Sequence, residues 1–282
     1  GGSGFGRRGG ALAMERGVAP AVEGHIARPS SRLRGVGSGG SSAGGVGSTA
    51  VAATAATAPY VARPAVVWLN TAEGNMLLRR MTSRGRKVFQ VWCSCWEAQE
   101  GGAFCAPASA MAALRFLQAA QGWSQSRIYE EVLRPLQLFT QGVSLTNGAR
   151  MFQALGAGAL EVDERCTADR AEAAEMLQAD LRRAFSVAGP GDACEEPVCI
   201  LINYRRWLGG GRGGHWSPIA GWIEADELVL ILDTNAAKCS PHWVPLTDLT
   251  AALCCWNQVT NRPRGYLLVR RTAPMESATK KK

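Results

Sequence analysis

The sequence lacks any run of about eighteen consecutive apolar residues, the minimum for a helix that crosses a bilayer, so no membrane span is expected. The part of the chain that is expected to fold, residues 65–279, also has no net charge. Seven Arg and two Glu in residues 1–64, with three Lys at the end of the chain, account for the whole formal charge of +8. Because residues 65–279 are neutral overall, neither nucleic acid nor a membrane is an expected partner.

The cysteines lack the pattern of a disulfide framework or of a zinc site. Their number is odd and no clean secretory signal precedes them, so a reducing compartment is the better expectation. Neither Cys93 with Cys95 nor Cys254 with Cys255 has a second matching pair at zinc-site spacing, and no metal ligands are assigned. Soft-metal binding by these thiols stays open. The nine cysteines lie at positions 93, 95, 105, 166, 194, 199, 239, 254 and 255.

Acidic residues are almost missing from residues 1–64, which are rich in Gly, Ala, Ser and Arg. Such a segment cannot bury enough apolar surface to offset the entropy lost on ordering. We therefore predict a disordered low-complexity extension, although the same bias is typical of an organelle transit peptide. Residues 65–273 are predicted to form one folded domain, and residues 274–282 a basic tail.

Cys105 lies in QEGGAFCAPASAMAALRFL (residues 99–117), where a glycine loop becomes a helix. Pro107 suits a first helical turn, so Cys105 is predicted at the helix N-terminus. The unpaired N–H groups and the helix dipole lower the pKa of a thiol at that position. Cys105 is therefore a candidate nucleophile, and a buried structural cysteine is the alternative.

Histidine is scarce, which restricts the choice of a base for Cys105. Of the three, His25 lies in the extension, and His242 in PHWVPL is interpreted as structural. His215 begins an apolar strand, and Asp233 ends the next strand eighteen residues later. A tight turn at residues 224–226 would bring both side chains together on antiparallel strands. A nucleophilic cysteine needs such a base and such an orienting group.

The hydrophobic patterns predict an α+β fold, a helical half followed by an antiparallel sheet, with Cys105 and His215 on opposite walls of one cleft. A basic turn is predicted at residues 83–87 and a loop at 186–197. The predicted helices cover residues 71–81, 88–96, 105–117, 124–132, 144–154, 169–187 and 248–256. The predicted strands cover residues 66–69, 198–204, 216–223, 228–233, 243–245 and 266–271.

Six stretches together resemble the catalytic domain of phytochelatin synthase. They are TAEGNMLLRRM (71–81), QEGGAFCAPAS (99–109), INYRRWLGGGRGGHWSPIAGW (202–222), LVLILD (228–233), PHWVPLTDL (241–249) and RGYLLV (264–269). The resemblance implies a papain-like cysteine peptidase fold over residues 65–273. It also implies a triad of Cys105, His215 and Asp233, with Gln99 helping to form the oxyanion hole.

The resemblance implies glutathione as substrate. The thiolate attacks its Cys–Gly bond, glycine leaves, and the γ-glutamylcysteinyl thioester passes to another glutathione or to a phytochelatin, in heavy-metal detoxification. A glutathione hydrolase of the same fold and a non-catalytic metal-binding thiol protein are the alternatives. Soft metal ions are implied partners, with Cd or Zn as activators or as glutathione thiolates and with no tightly bound cofactor. The expected location is cytoplasmic, or plastid if residues 1–64 are a transit peptide.

Phe104 and Ser217 are candidate substrate-binding residues, and Asn203 could also face the cleft. Packing or hydrogen bonding in the core is the alternative for all three.

The sequence departs from the family at three positions. Ala106 and Pro107 follow the nucleophile in place of Gly and a small or apolar residue, and Ala236 replaces an Arg three residues after the triad Asp. The Trp-rich insert and the Cys-rich C-terminal half of plant members are not present. The missing charge could come instead from Arg205, Arg206, Arg212 or Lys238.

Overall fold

The computed structural model describes residues 66–120, 122–139, 142–185, 197–209 and 213–272. The predicted extension over residues 1–64, the loop over 186–196 and the basic tail fall outside the described residues, as do His25, Cys194 and Arg212.

An antiparallel sheet of seven strands runs through the described residues, in the order β1-β6-β5-β4-β3-β9-β2. A separate hairpin, β7–β8, precedes the last strand. The strands are β1 Val67–Trp68, β2 Leu160–Arg165, β3 Val198–Arg205, β4 Gly214–Ile223, β5 Leu228–Ile231, β6 His242–Pro245, β7 Trp256–Asn257, β8 Arg262–Pro263 and β9 Gly265–Arg271. With the helices, this sheet confirms the predicted α+β class.

Several of the helices begin beside a hydroxyl side chain that caps them. Thr71, Thr82 and Ser144 each accept a backbone N–H from the first turn of the helix that follows. The helices are α1 Ala72–Arg80, α2 Ser83–Cys95, α3 Cys105–Phe116, α4 Gln125–Arg127, α5 Leu145–Gly156, α6 Arg170–Phe185 and α7 Leu246–Leu253, and a wider helical turn, Ile128–Leu133, extends α4. None of them is long and apolar enough to cross a bilayer.

The helices cover both faces of the sheet, because β3 is apolar on both sides. Cys199 and Leu201 pack into the cluster that contains α3 and α5. Ile200 and Ile202 alternate with them and pack into the cluster that contains α6 and α7. The helices therefore do not form a half of their own before the sheet, although their order in the chain suggests it.

Two local predictions were wrong. Residues 83–87, predicted as a basic turn, are the first residues of α2, because Thr82 accepts the N–H of Gly85 and caps the helix. Strand β2 was missed because its sequence, LEVDER, is mostly charged. It is an edge strand, and ion pairs from Glu161 and Asp163 to Arg270 join it to β9. Charged residues of this kind are usual on edge strands.

Small side chains on α3 allow it to lie close to β4. Residues 106–114 are buried and read APASAMAAL, so most of the contact surface is alanine. The first residue of this buried helix is Cys105, as the position of Pro107 predicts. The packing of α3 on the sheet therefore fixes the position of the thiol relative to the first residues of β4.

Candidate active site

His215 and Asp233 meet at one end of the β4–β5 hairpin. The two strands are antiparallel and are joined by the short turn Glu224–Asp226, as predicted. His215 lies near the start of β4, and Asp233 follows the end of β5 by two residues. The imidazole Nε2 is 2.8 Å from the carboxylate Oδ1, and both side chains are buried.

Three other groups donate to the Asp233 carboxylate. The Tyr204 hydroxyl lies 3.2 Å from Oδ2, the Arg206 guanidinium lies 3.1 and 3.3 Å from the two oxygens, and the Asn235 N–H lies 2.8 Å from Oδ1. Burial alone would raise the pKa of Asp233, but His215, Arg206 and the Asn235 N–H lower it below its ordinary value. A fully buried carboxylate is thereby kept ionised beside the imidazole.

These supporting roles of Tyr204 and Arg206 were not predicted. Tyr204 pairs with His215 across β3 and β4, which places it beside the imidazole. The motif INYRR could have indicated these roles, because it belongs to the strand that pairs with the start of β4. From the sequence, Arg206 was considered only as a replacement for the missing family Arg. In the structure its guanidinium pairs with Asp233 instead.

Cys105 at the start of α3 lies close enough to His215 for the imidazole to act on the pKa of the thiol. Burial alone would raise the pKa of the thiol, but the hydrogen bond and charge of His215 and the N–H groups of Trp216 and Ala106 lower it below 9.0. Burial lowers the pKa of His215, but Asp233 and Cys105 beside it outweigh burial and raise it above its ordinary value. Both shifts favour a thiolate beside an imidazolium, the state in which a cysteine attacks an acyl carbon.

The side chain of Gln99 is turned toward its own loop. Its Nε2 donates to the Gly101 carbonyl, and its Oε1 accepts from the Thr234 hydroxyl at 3.5 Å. The Gln99 N–H also donates to the Thr234 carbonyl at 2.7 Å, which ties the loop before Cys105 to the residue after Asp233. One N–H of the amide group is not engaged in these contacts, and its role in an oxyanion hole stays a prediction.

The cavity beside Cys105 has a volume of about 220 Å³. Neither candidate substrate-binding residue is among the described residues that line it. Phe104 stacks on Tyr129 with ring centroids 5.2 Å apart, and Ser217 is fully buried on β4. Asn203 does line the cavity.

Arg264 is a buried cation in the lining of the same cavity. Its Nη1 donates to Asn203 Oδ1 at 3.2 Å, and among the described residues its Nε has no partner and no carboxylate pairs with it. Burial and the charge of Arg205 lower its pKa. A Cβ at Gly214 would lie 2.1 Å from Nη1, so any larger residue there would displace the guanidinium from its present position. A role for this residue was not predicted, although RGYLLV (264–269) is one of the stretches that carry the family resemblance.

A second cavity, of about 330 Å³, includes Ala236, Lys238 and Cys239 in its lining. Burial and the charge of Asp233 raise the pKa of Cys239 to about 12, so this thiol is protonated. His242 is buried nearby and donates from Nδ1 to the Ser240 carbonyl at 2.8 Å. Within the described ranges no group of three or more His, Cys, Asp or Glu side chains could hold a metal ion.

The reactivity of Cys105 should depend on pH in a defined direction. Because its pKa is lowered, alkylation by iodoacetamide should begin at lower pH than for an ordinary thiol, and at lower pH than for Cys93, whose pKa burial raises. Because the pKa of His215 is raised, the imidazolium stays paired with the Cys105 thiolate to higher pH. The pair is lost as the pH rises through the pKa of His215. His215→Ala should move the alkylation midpoint of Cys105 upward, as followed by mass spectrometry. An unchanged midpoint would show that the two groups are not coupled.

A thiol whose pKa is lowered by an imidazole that is itself bonded to a buried carboxylate is the arrangement typical of enzymes with a cysteine nucleophile, which form acyl intermediates. The family model for phytochelatin synthase matches residues 60–266, and the chain belongs to that family.

Several curated relatives match the chain over different lengths. It is 26% identical over 221 residues to glutathione gamma-glutamylcysteinyltransferase 1 of Arabidopsis thaliana, covering 74% of this chain and 42% of the relative. It is 36% identical over 92 residues to glutathione gamma-glutamylcysteinyltransferase 2 of the same plant, covering 33% of this chain and 20% of the relative. It is 35% identical over 75 residues to glutathione gamma-glutamylcysteinyltransferase of Schizosaccharomyces pombe, covering 27% of this chain and 18% of the relative. Even the longest of these matches spans less than half of the relative.

Proposed function

We propose that this protein transfers the γ-glutamylcysteinyl group of glutathione, with Cys105 as nucleophile, His215 as acid and base, and Asp233 as the group that orients His215. The observation that carries the proposal is the buried, hydrogen-bonded pair of Asp233 and His215, which lowers the pKa of the Cys105 thiol at the start of α3. Membership in the phytochelatin synthase family supports glutathione as the substrate. A papain-like fold for residues 65–273 belongs to the same proposal, and so does the cytoplasmic location, or a plastid one if residues 1–64 are a transit peptide.

In the first half-reaction the Cys105 thiolate attacks the carbonyl carbon of the Cys–Gly peptide bond. The negative charge that develops on the carbonyl oxygen is stabilised by the Cys105 backbone N–H and by a rotated Gln99 amide. One donor of this kind contributes roughly 3–4 kcal/mol in a protease example. His215 then gives its proton to the glycine nitrogen, the C–N bond breaks, and glycine leaves a thioester on Cys105.

In the second half-reaction His215 removes a proton from the amine of a second glutathione or of a phytochelatin. That amine attacks the thioester carbon, a new peptide bond forms, and the Cys105 thiolate is released. Arg264 fits the recognition of the acyl donor, because its buried guanidinium lines the cavity of Cys105 and no carboxylate of the described residues pairs with it. Glutathione has a carboxylate at each end, and a guanidinium binds a carboxylate through two parallel hydrogen bonds.

Soft metal ions enter this proposal as part of the substrate. A cadmium or zinc ion held by glutathione thiolates presents the tripeptide to Cys105 without a metal site on the protein. Incubation with glutathione, with and without cadmium, should release glycine and give γ-glutamylcysteine or phytochelatins, resolved by mass. The absence of glycine release in both incubations would leave the alternative of a non-catalytic thiol protein.

Residues 1–64 should be dispensable for the chemistry, because the described site lies entirely within residues 99–264. A chain that begins at Ala65 is expected to keep its specific activity in the glycine-release assay. Circular dichroism of the same sample provides the control for folding. A folded chain that has lost activity would show that the extension belongs to the domain.

Hydrolysis should compete with transfer more strongly in this protein than in plant members of the family, because Ala236 replaces their Arg. A hydrogen bond to a charged group contributes about 1.5–3 kcal/mol, roughly ten- to a hundredfold in acceptor affinity. Among the other candidate charges, Arg206 pairs with Asp233, and Arg205 lines the cavity of Cys105. Lys238 lines the same cavity as Ala236.

The ratio of γ-glutamylcysteine to phytochelatin at millimolar glutathione measures this competition. Wild type is expected to release mostly γ-glutamylcysteine, and Ala236→Arg should shift the products toward phytochelatin. Ala237 lines the same cavity one position later in the chain, so Ala237→Arg is the matched control. A wild type that makes mostly phytochelatin, with no shift in Ala236→Arg, would show that position 236 does not set the outcome.

A further inference from the structure

The cavity beside Cys105 is cationic on one side and has no acidic residue to balance it. Arg205 and Arg264 line it, and none of the described residues in its wall is Asp or Glu. Along the chain, the residues just before the lining residues Gly142 and Gly213 are TQ (140–141) and GGR (210–212), which contain no acid either. A ligand carboxylate would therefore find two positive partners there, and a ligand ammonium would find no negative one.

We propose, building on the function proposed above, that this acyl-donor site recognises the carboxylate of the donor and does not select for its α-ammonium group. Donors whose amine is absent or acylated should then be used at least as well as glutathione. The γ-glutamyl group carries a carboxylate and an ammonium on one carbon, so a carboxylate bound to Arg264 holds the ammonium near a cationic guanidinium in a cavity that Arg205 also lines. Removing the ammonium removes that repulsion and leaves the attraction intact.

Asn257 is the residue at which this preference can be tested. It lines the cavity at the end of β7, and its side-chain Oδ1 accepts the N–H of Val259 at 3.1 Å within the β7–β8 turn. An aspartate has the same shape and can accept the same N–H, so Asn257→Asp adds a negative charge to the cavity without removing the turn contact. Asn261→Asp makes the same chemical change in an exposed position of the same hairpin, outside the cavity wall, and is the matched control.

The experiment compares kcat/KM for glycine release from glutathione and from glutarylcysteinylglycine, its analogue without the amine. Wild type and Asn261→Asp should use the analogue as well as glutathione or better. Asn257→Asp should shift the ratio toward glutathione by about tenfold or more, the usual effect of a charge-assisted hydrogen bond. A wild-type preference for glutathione, or the same ratio in Asn257→Asp as in wild type, would overturn the inference.

Failure of the proposed function can be told apart from failure of this inference. If neither compound releases glycine, the transfer activity is refuted, and calorimetric binding of the two compounds to Cys105→Ser decides the question of recognition. The inference holds if the analogue binds as tightly as glutathione or more tightly, and if Asn257→Asp on that background reverses the order. Tighter binding of glutathione to Cys105→Ser, or binding of neither compound, would refute it.

Discussion

Replacement of Cys105 by serine is expected to abolish glycine release from glutathione. A serine hydroxyl does not ionise in the pH range in which the Cys105 thiolate forms, so the imidazole of His215 would face a neutral oxygen that attacks poorly. The substitution changes one atom at the start of α3 and should leave the packing of that helix intact. The expected loss is several orders of magnitude in kcat, measured by the appearance of free glycine.

Two other cysteines provide matched controls for Cys105→Ser. Cys93 lies within α2, and the Cys254 thiol contacts the Asp169 carbonyl; neither lines the cavity of Cys105. Cys93→Ser and Cys254→Ser should therefore keep the activity of wild type. Full activity in Cys105→Ser would refute the mechanism, and loss of activity in all three variants would point to a general sensitivity to cysteine replacement.

Asp233→Asn should lower kcat by orders of magnitude while the protein stays folded. The corresponding change in a serine-protease triad costs about 10⁴-fold, because the amide can no longer hold the imidazole in the right tautomer. Here the amide would also remove the negative charge that raises the pKa of His215. Steady-state kinetics measures the loss, and thermal unfolding checks that the variant is folded.

Asp226→Asn is the control for Asp233→Asn, since Asp226 lies in the turn of the same β4–β5 hairpin and pairs with Arg80 at the surface. A surface ion pair contributes about 1 kcal/mol or less, so this variant should keep its turnover. Wild-type turnover in Asp233→Asn would remove Asp233 from the site.

The sequence predicts the part of this site that depends on local structure. The position of Cys105 follows from Pro107 and the glycine loop, and the approach of His215 to Asp233 follows from a short turn between two apolar strands. These signals lie within a few residues or across one hairpin, where the geometry is restricted.

The sequence does not predict contacts that depend on tertiary packing. Arg264 reaches the cavity because β9 lies beside β3, and Arg206 reaches Asp233 because β3 lies beside β4. Strand order is not encoded in the periodicity of any one strand, so an arginine near a strand end reads as surface. Strand β2 was missed for a different reason, because the charged sequence of this edge strand does not show the apolar run of a buried strand.

The central claim, that Cys105 carries the γ-glutamylcysteinyl group, is tested most directly by the mass of the protein during turnover. Protein mixed with glutathione and quenched in acid, which preserves a thioester, should show a mass increase of one γ-glutamylcysteinyl group. Peptide mapping should place that group on Cys105, and hydroxylamine should remove it. Glycine release without such an adduct, or an adduct on a different residue, would contradict the account.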